Sequence, residues 1–262
     1  GAYKRPFLHQ LISGQLDMDR MDYLIRDSFF TGVAEGVVGL DRIIKTLDVR
    51  DDHLLVESKG IYSVEKFIVS RRFMYWQVYL HHAALVSDLM LGKIMERSRE
   101  LFEAGKPLWL DENLTFFYQN DIDPKALDKT IIQRYIQLDD VDIEYHIKRW
   151  VDNPDRVLSS LCRRLMNREL LKIKLKDRAS GKKKLASLRE DAMNAHDLNE
   201  NEVKYFVFDG KVVNQAYFKE SNEPILIRFK NGKIKDLAKV SDMGNIRALS
   251  KPVVKHYVCW IG

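Results

Sequence analysis

The chain has 262 residues, 45% hydrophobic and 31% charged, with a net charge of +5. That balance excludes a disordered polymer, and no apolar run of eighteen residues exists to form a membrane-spanning helix. The mild positive charge suits an anionic ligand and does not demand nucleic acid. Cys162 and Cys259 lie far apart with no CxxC pair, so neither a thiolate zinc site nor a disulfide framework is supported, and a reducing, cytoplasmic setting is expected. The opening GAYKRPFLHQ lacks an apolar signal core, so export is not expected.

In chain order, residues 14–30 have helical spacing that stops before Gly32, and TGVAEGVVG (31–39) reads as a loop. A short helix is expected over 39–49, with Asp41 near its start, and a strand and turn over 53–60. From Ile61 to about Ala104 only Gly92 interrupts, which predicts one long helix or two in series. Further helices are expected over 111–120, 123–140, 140–153 and 154–172, with Asp123 capping one before Pro124 and Asn153 capping another before Pro154. Near 170 the character changes. LLKIKLK (170–176) alternates as a strand does, 181–196 is helical, and 203–209 and 211–218 are strand-like. Asn231-Gly232 predicts a type I′ hairpin within 224–238, and 252–261 reads as a last strand. The expected fold is therefore mainly α over 1–169, followed by a small α+β domain over 170–262.

Chemistry concentrates in LDMDRMDYLIRD (16–27). Wound as a helix, it sets Met21, Leu24, Ile25 and Ser28 on one side and Asp19, Arg20, Tyr23 and Asp27 on the other. A carboxylate binds cations, an arginine holds phosphate oxygens, and a tyrosine and second carboxylate suit a sugar. The same spacing also fits a solvated face with ion pairs such as Asp22 with Arg26. Farther along, Arg71, Tyr75, Tyr79 and His82 share one helical face, as ligand groups or as core aromatics capped by an arginine.

The run Asp19-Arg20-Met21-Asp22-Tyr23-Leu24-Ile25-Arg26-Asp27 resembles the last metal-binding helix of the HD-domain phosphohydrolases, in the branch of the deoxynucleoside triphosphate triphosphohydrolases, where the pattern is D-[K/R]-x-D-Y-x-x-R-D. The likeness continues through FFTGVAEG, GIYSVEKFIVSRRFMYWQVYLHH and, more loosely, YFVFDG. It implies an HD-like helical bundle and a metal-dependent hydrolase that releases nucleoside and triphosphate from dNTPs. Asp19 would then be a metal ligand. Arg20 and Arg71 would contact phosphate, Tyr23 and Asp27 would hold the deoxyribose, and Tyr79 would stand beside sugar and base, with Arg20 and Tyr23 the catalytic candidates. The divalent metal (Mg, Mn, Fe or Ni) and a homo-oligomeric state are likewise implications of the resemblance.

The chain departs from that family in one respect. Only His196-Asp197 reads HD, and it follows Asp19 where the family's pair precedes it. One carboxylate does not hold a catalytic metal. The chain is therefore expected to be a C-terminal portion whose partner ligands lie in a missing N-terminal segment, and to be inactive and metal-free alone. A basic tract, KIKLKDRASGKKK (172–184), reads as a solvated strand and turn, a phosphate contact or a nucleic-acid contact. The rival functions are an HD-fold hydrolase of another phosphoester or signalling nucleotide, and a non-catalytic nucleotide-binding or assembly module.

Overall fold

The structure, a computed structural model, describes residues 4–214, 224–249 and 251–262. Helix α1 (Pro6–Ser13) carries proline in its first turn, where the missing N–H goes unneeded. Helix α2 (Met18–Thr31) begins later than its spacing predicts. Asp17 takes extended backbone and its carboxylate accepts the Arg20 N–H at 2.7 Å, which fixes the start, and Gly32 ends the helix in the left-handed conformation at φ +71°. After α3 (Leu40–Ile44), strands β1 (Leu47–Arg50) and β2 (His53–Glu57) form a hairpin through Asp51-Asp52, both at positive φ.

Helix α4 (Ile61–Met74) runs into a π-helical turn over Tyr75–Tyr79, where the Leu80 N–H bonds the Tyr75 carbonyl, and α5 (His82–Glu103) follows. The region 61–104 is thus two helices in series. Helices α6 (Glu112–Gln119), α7 (Lys129–Tyr135), α8 (Asp140–Trp150) and α9 (Arg156–Met166) each start on an aspartate whose carboxylate accepts backbone N–H groups of the first turn. Two expected caps are corrected by this. Asp128, not Asp123, caps α7 through the Ile131 N–H, and Asp155, not Asn153, caps α9 through the Leu158 N–H. Each proline instead lies in the turn before the helix.

Strand β3 (Lys172–Lys176) and helix α10 (Lys182–His196) follow the sequence expectation. Residues 203–209 do so only at their end. Asn199 and Glu202 form a capping box that winds α11 (Glu200–Val203), and β4 spans Phe208–Asn214. The expected strand over 211–218 lies outside the described residues from 215 onward. Strands β5 (Leu226–Arg228) and β6 (Ile234–Asp236) pair antiparallel, but not through a type I′ turn. Only Gly232 has positive φ, the Gly232 N–H bonds the Phe229 carbonyl, and the Phe229 N–H bonds Lys233, a three-residue loop ending on a left-handed glycine. Helices α12 (Leu237–Val240) and α13 (Gly244–Leu249) and strand β7 (Val253–Trp260) complete the chain. The architecture is mainly helical with a small mixed α+β part holding two small sheets, ordered β1-β2-β5-β6 and β3-β7-β4.

Two compact units emerge, residues 1–81 with 211–255, and 82–210 with 256–262. In the first, β2 pairs parallel with β5, Leu55 opposite Leu226, and Leu24, Phe67, Ile68, Met74, Ile227 and Leu237 build the core. Gly36 allows the close approach of the 34–36 turn to α2 and α4. A Cβ there would stand 2.6 Å from the Ser28 Cβ and 2.8 Å from the Leu24 carbonyl oxygen. Gly36→Ala is expected to destabilise this unit by about 1–3 kcal/mol through overpacking, read as a lower urea midpoint.

In the second unit β3 pairs antiparallel with β7, Lys172 opposite Trp260, over a core containing Trp150, Leu158, Leu161, Tyr205 and Phe206. Arg97 grips Asp155 through Nε at 3.0 Å and Nη2 at 2.6 Å. Burial alone would raise the Asp155 carboxyl, but Arg97 and the Leu158 N–H outweigh it and hold it below its ordinary value of 3.8. A lowered carboxyl contributes stability above the unfolded value, and that stability is lost as pH falls through the folded value. Asp155→Asn keeps a capping residue and is expected to flatten the acid-side slope of stability against pH, measured by urea unfolding at a series of pH values below about 5.

Candidate functional site

The six residues to which the resemblance gives a role (Asp19, Arg20, Tyr23, Asp27, Arg71 and Tyr79) fall in the first unit. Helix α2 buries Met21, Leu24 and Ser28, so its opposite side faces outward with Asp19 exposed and Tyr23 and Asp27 half-buried. Asp22 and Arg26 are an exposed ion pair at 2.8 Å, the solvated arrangement that i,i+4 spacing allows. The motif therefore divides into a surface pair and an inward set.

The inward set meets the end of α4. Tyr79 Oη donates to Asp27 Oδ2 at 2.7 Å, closing a separation of 52 residues. Burial first, and then that hydrogen bond, push the Tyr79 phenol above its ordinary value, so it stays protonated and donates. The Tyr23 and Tyr79 rings meet edge to face at 5.8 Å, and Tyr75 meets Tyr79 in the same way at 5.4 Å. Burial raises the Tyr23 hydroxyl too.

Arg71 is 5% exposed. Its guanidinium is pushed below its ordinary value by burial first and by the positive charge of Arg20 second, while Tyr23 and Tyr75 act in the other direction. Arg20 is anchored, with Nη1 donating to the Gly14 carbonyl at 2.8 Å and Nε 3.4 Å from Asp17. Two arginines whose charges repel across a partly desolvated, tyrosine-lined region make a setting for an anion.

Sequence reasoning missed Asp17. This residue is 3% exposed, and it both starts α2 and holds the Arg20 side chain. The signal was present as an aspartate three residues before an arginine at a helix start. Also missed was the π turn. It breaks the single face expected for Arg71, Tyr75, Tyr79 and His82, and His82 begins the next helix in the other unit. Within the turn, the Gln77 side chain donates to Glu35 at 3.0 Å, tying it to the 34–36 segment.

The residues present do not by themselves fit a catalytic metal. Asp19 stands exposed, and no group of three or more His, Cys, Asp or Glu side chains suited to holding an ion exists among the described residues. Asp197 does not make a dyad with His196. It ends α10 in the left-handed conformation at φ +51°, and its carbonyl accepts from Arg156 at 2.7 Å. No described helix is long and apolar enough to cross a membrane.

The fold is HD-domain-like and related to that of known phosphohydrolases. Residues 38–109 match the HD associated region. A phosphohydrolase from Bacteroides thetaiotaomicron, known from its crystal structure, superposes with a TM-score of 0.86 and 43% identity, over 98% of this chain and 64% of its own. The uncharacterized protein YwfO of Bacillus subtilis is 36% identical over 169 residues, 64% of this chain and 37% of that protein. A deoxynucleoside triphosphate triphosphohydrolase SAMHD1 homolog of Dictyostelium discoideum is 28% identical over 108 residues, 40% of this chain and 21% of that protein. The chain spans less than two thirds of the length of each of these relatives.

Proposed function

We propose that the chain supplies the substrate grip of a metal-dependent phosphohydrolase that splits deoxynucleoside triphosphates into nucleoside and inorganic triphosphate. The observation that carries this reading is the Tyr79–Asp27 hydrogen bond, with Tyr23 against the same ring and Arg71 within reach of Tyr23 by charge. Asp27 and the Tyr79 hydroxyl offer one acceptor and one oriented phenol to a sugar. Arg71 and the free edge of Arg20 neutralise phosphate oxygens as charge builds on the leaving triphosphate. Asp19 contributes one metal ligand, and the others come from residues outside this chain, in line with its partial coverage of the relatives. A cytoplasmic, homo-oligomeric protein completes the reading, and the buried, unlinked Cys162 and Cys259 agree with a reducing compartment.

The full-length protein, supplied in turn with Mg, Mn, Fe and Ni, should release nucleoside and triphosphate from dNTPs in a coupled chromatographic assay. Release only from ribonucleotides or signalling nucleotides would transfer the fold to another phosphoester. Nucleotide binding without release would make it a non-catalytic module, and neither binding nor release would sink the reading altogether.

A further inference from the structure

From Gln119 to Tyr145 no residue is buried, although the stretch is ordered and contains a complete helix. Helix α7 has an aspartate cap and rests on α6 through Arg134 over the Phe116 ring and Tyr135 edge-on to Phe117, yet none of its side chains is fully buried. A helix of two turns has no stability of its own in water, and helices this short are held by packing an apolar face. Such a face exists and points outward. Ile132, Tyr135 and Ile136 stand at i, i+3 and i+4, with Tyr135 70% and Ile136 72% exposed, and Val141 and Tyr145 repeat the pattern on α8. Aromatic and branched side chains gathered this way mark an interface.

Charge identifies the occupant. Residues 121–144 carry seven carboxylates against three cations in a chain whose net charge is +5. Two such faces packed on each other would set like charges together, which disfavours a symmetric α7–α7 contact. The opposite surface lies elsewhere in the same unit. Residues 172–184 carry seven lysines and arginines against one aspartate, and Lys172, Lys174, Arg178 and Lys182 to Lys184 are exposed. Three of these lysines open helix α10, whose cap is Gly181 with no side-chain hydrogen bond and whose first turn has no acidic residue. Cations at a helix N-terminus oppose the helix dipole until an anion neutralises them. Each surface repels itself and matches the other. We infer that the acidic, apolar face of α7 and the start of α8 binds the basic β3–α10 tract of a second copy of this chain, in a head-to-tail contact.

Sedimentation velocity of the full-length protein tests this. The wild type should self-associate, and more weakly as salt is raised. Asp140→Lys with Glu144→Lys, and separately Lys183→Glu with Lys184→Glu, alter exposed side chains outside the caps, and circular dichroism confirms that each variant stays folded. Each should weaken self-association by about tenfold or more. Mixing the two variants should restore assembly, because each then meets its complement. A wild type that stays monomeric at every concentration overturns the inference. So does association that neither variant weakens, or a mixture of the two variants that fails to recover.

Discussion

Arg71→Ala in the full-length protein is expected to lower kcat/KM for triphosphate-bearing nucleotides by about 10²–10³-fold, the loss typical of removing one positioned group that stabilises transition-state charge. The expectation follows from where Arg71 sits. It is nearly enclosed, with the Arg20 charge against it and the hydroxyls of Tyr23 and Tyr75 within electrostatic range. The fold holds a cation there against both desolvation and repulsion, and an anionic ligand relieves both. Arg71→Lys keeps the charge but not the planar fork, and should recover only part of the activity. Steady-state kinetics beside a thermal melt separate the outcomes. Wild-type kcat/KM in Arg71→Ala would remove the residue from the substrate grip. Should Arg71→Ala unfold, the lysine variant decides.

The largest stability effect belongs to the second unit. Trp150 is fully buried, and its indole N–H donates to the Trp109 carbonyl at 2.8 Å. Its ring meets that of His146 at 5.4 Å. His146 is in turn fixed by two backbone groups. The Asp111 N–H donates to Nε2 at 3.1 Å, so Nε2 is the bare nitrogen and Nδ1 carries the proton to the Asp142 carbonyl at 2.7 Å. Trp150→Ala is expected to destabilise the unit by about 3–5 kcal/mol through the cavity, with about 1 kcal/mol more from the stranded carbonyl. Trp150→Phe keeps most of the packing and should lose about 1–2 kcal/mol. Urea unfolding followed by far-ultraviolet dichroism measures both. A loss in the alanine variant no larger than in the phenylalanine variant would mean that the site collapses around the gap.

Much of the fold is legible in residue order, because helices here are written by apolar spacing and aspartate caps. The failures are local and share a cause. Asp123-Pro124 and Asn153-Pro154 have cap chemistry, but Asp128 and Asp155 stand closer to the helices that form, and spacing alone does not rank two eligible caps. Asn231-Gly232 fits two hairpin loops, and only the backbone of Asn231 separates them. In the site, the polar face of α2 was readable as a face. Its partner was not, because the Asp27–Tyr79 bond joins residues 52 apart and no local rule connects them. The family resemblance gives each of them a place beside the sugar, without a bond between them. Asp17 stands three residues before Arg20 at a helix start, which marks a cap, but a cap is ordinarily exposed and the burial of this one is set by the surrounding fold.

The π turn over Tyr75–Tyr79 has an evolutionary reading as well as a geometric one. A wide turn holds one residue more than an α-helix can seat in the same rise, as if one residue had been inserted into an older, regular helix. Such an insertion shifts the phase of the residues at the end of the turn while leaving Arg71 and the buried face before it untouched. Tyr79 is the last residue of the wide turn, so the inserted residue sets the angle from which its hydroxyl meets Asp27. Chain length at this one turn therefore sets which side chain reaches Asp27.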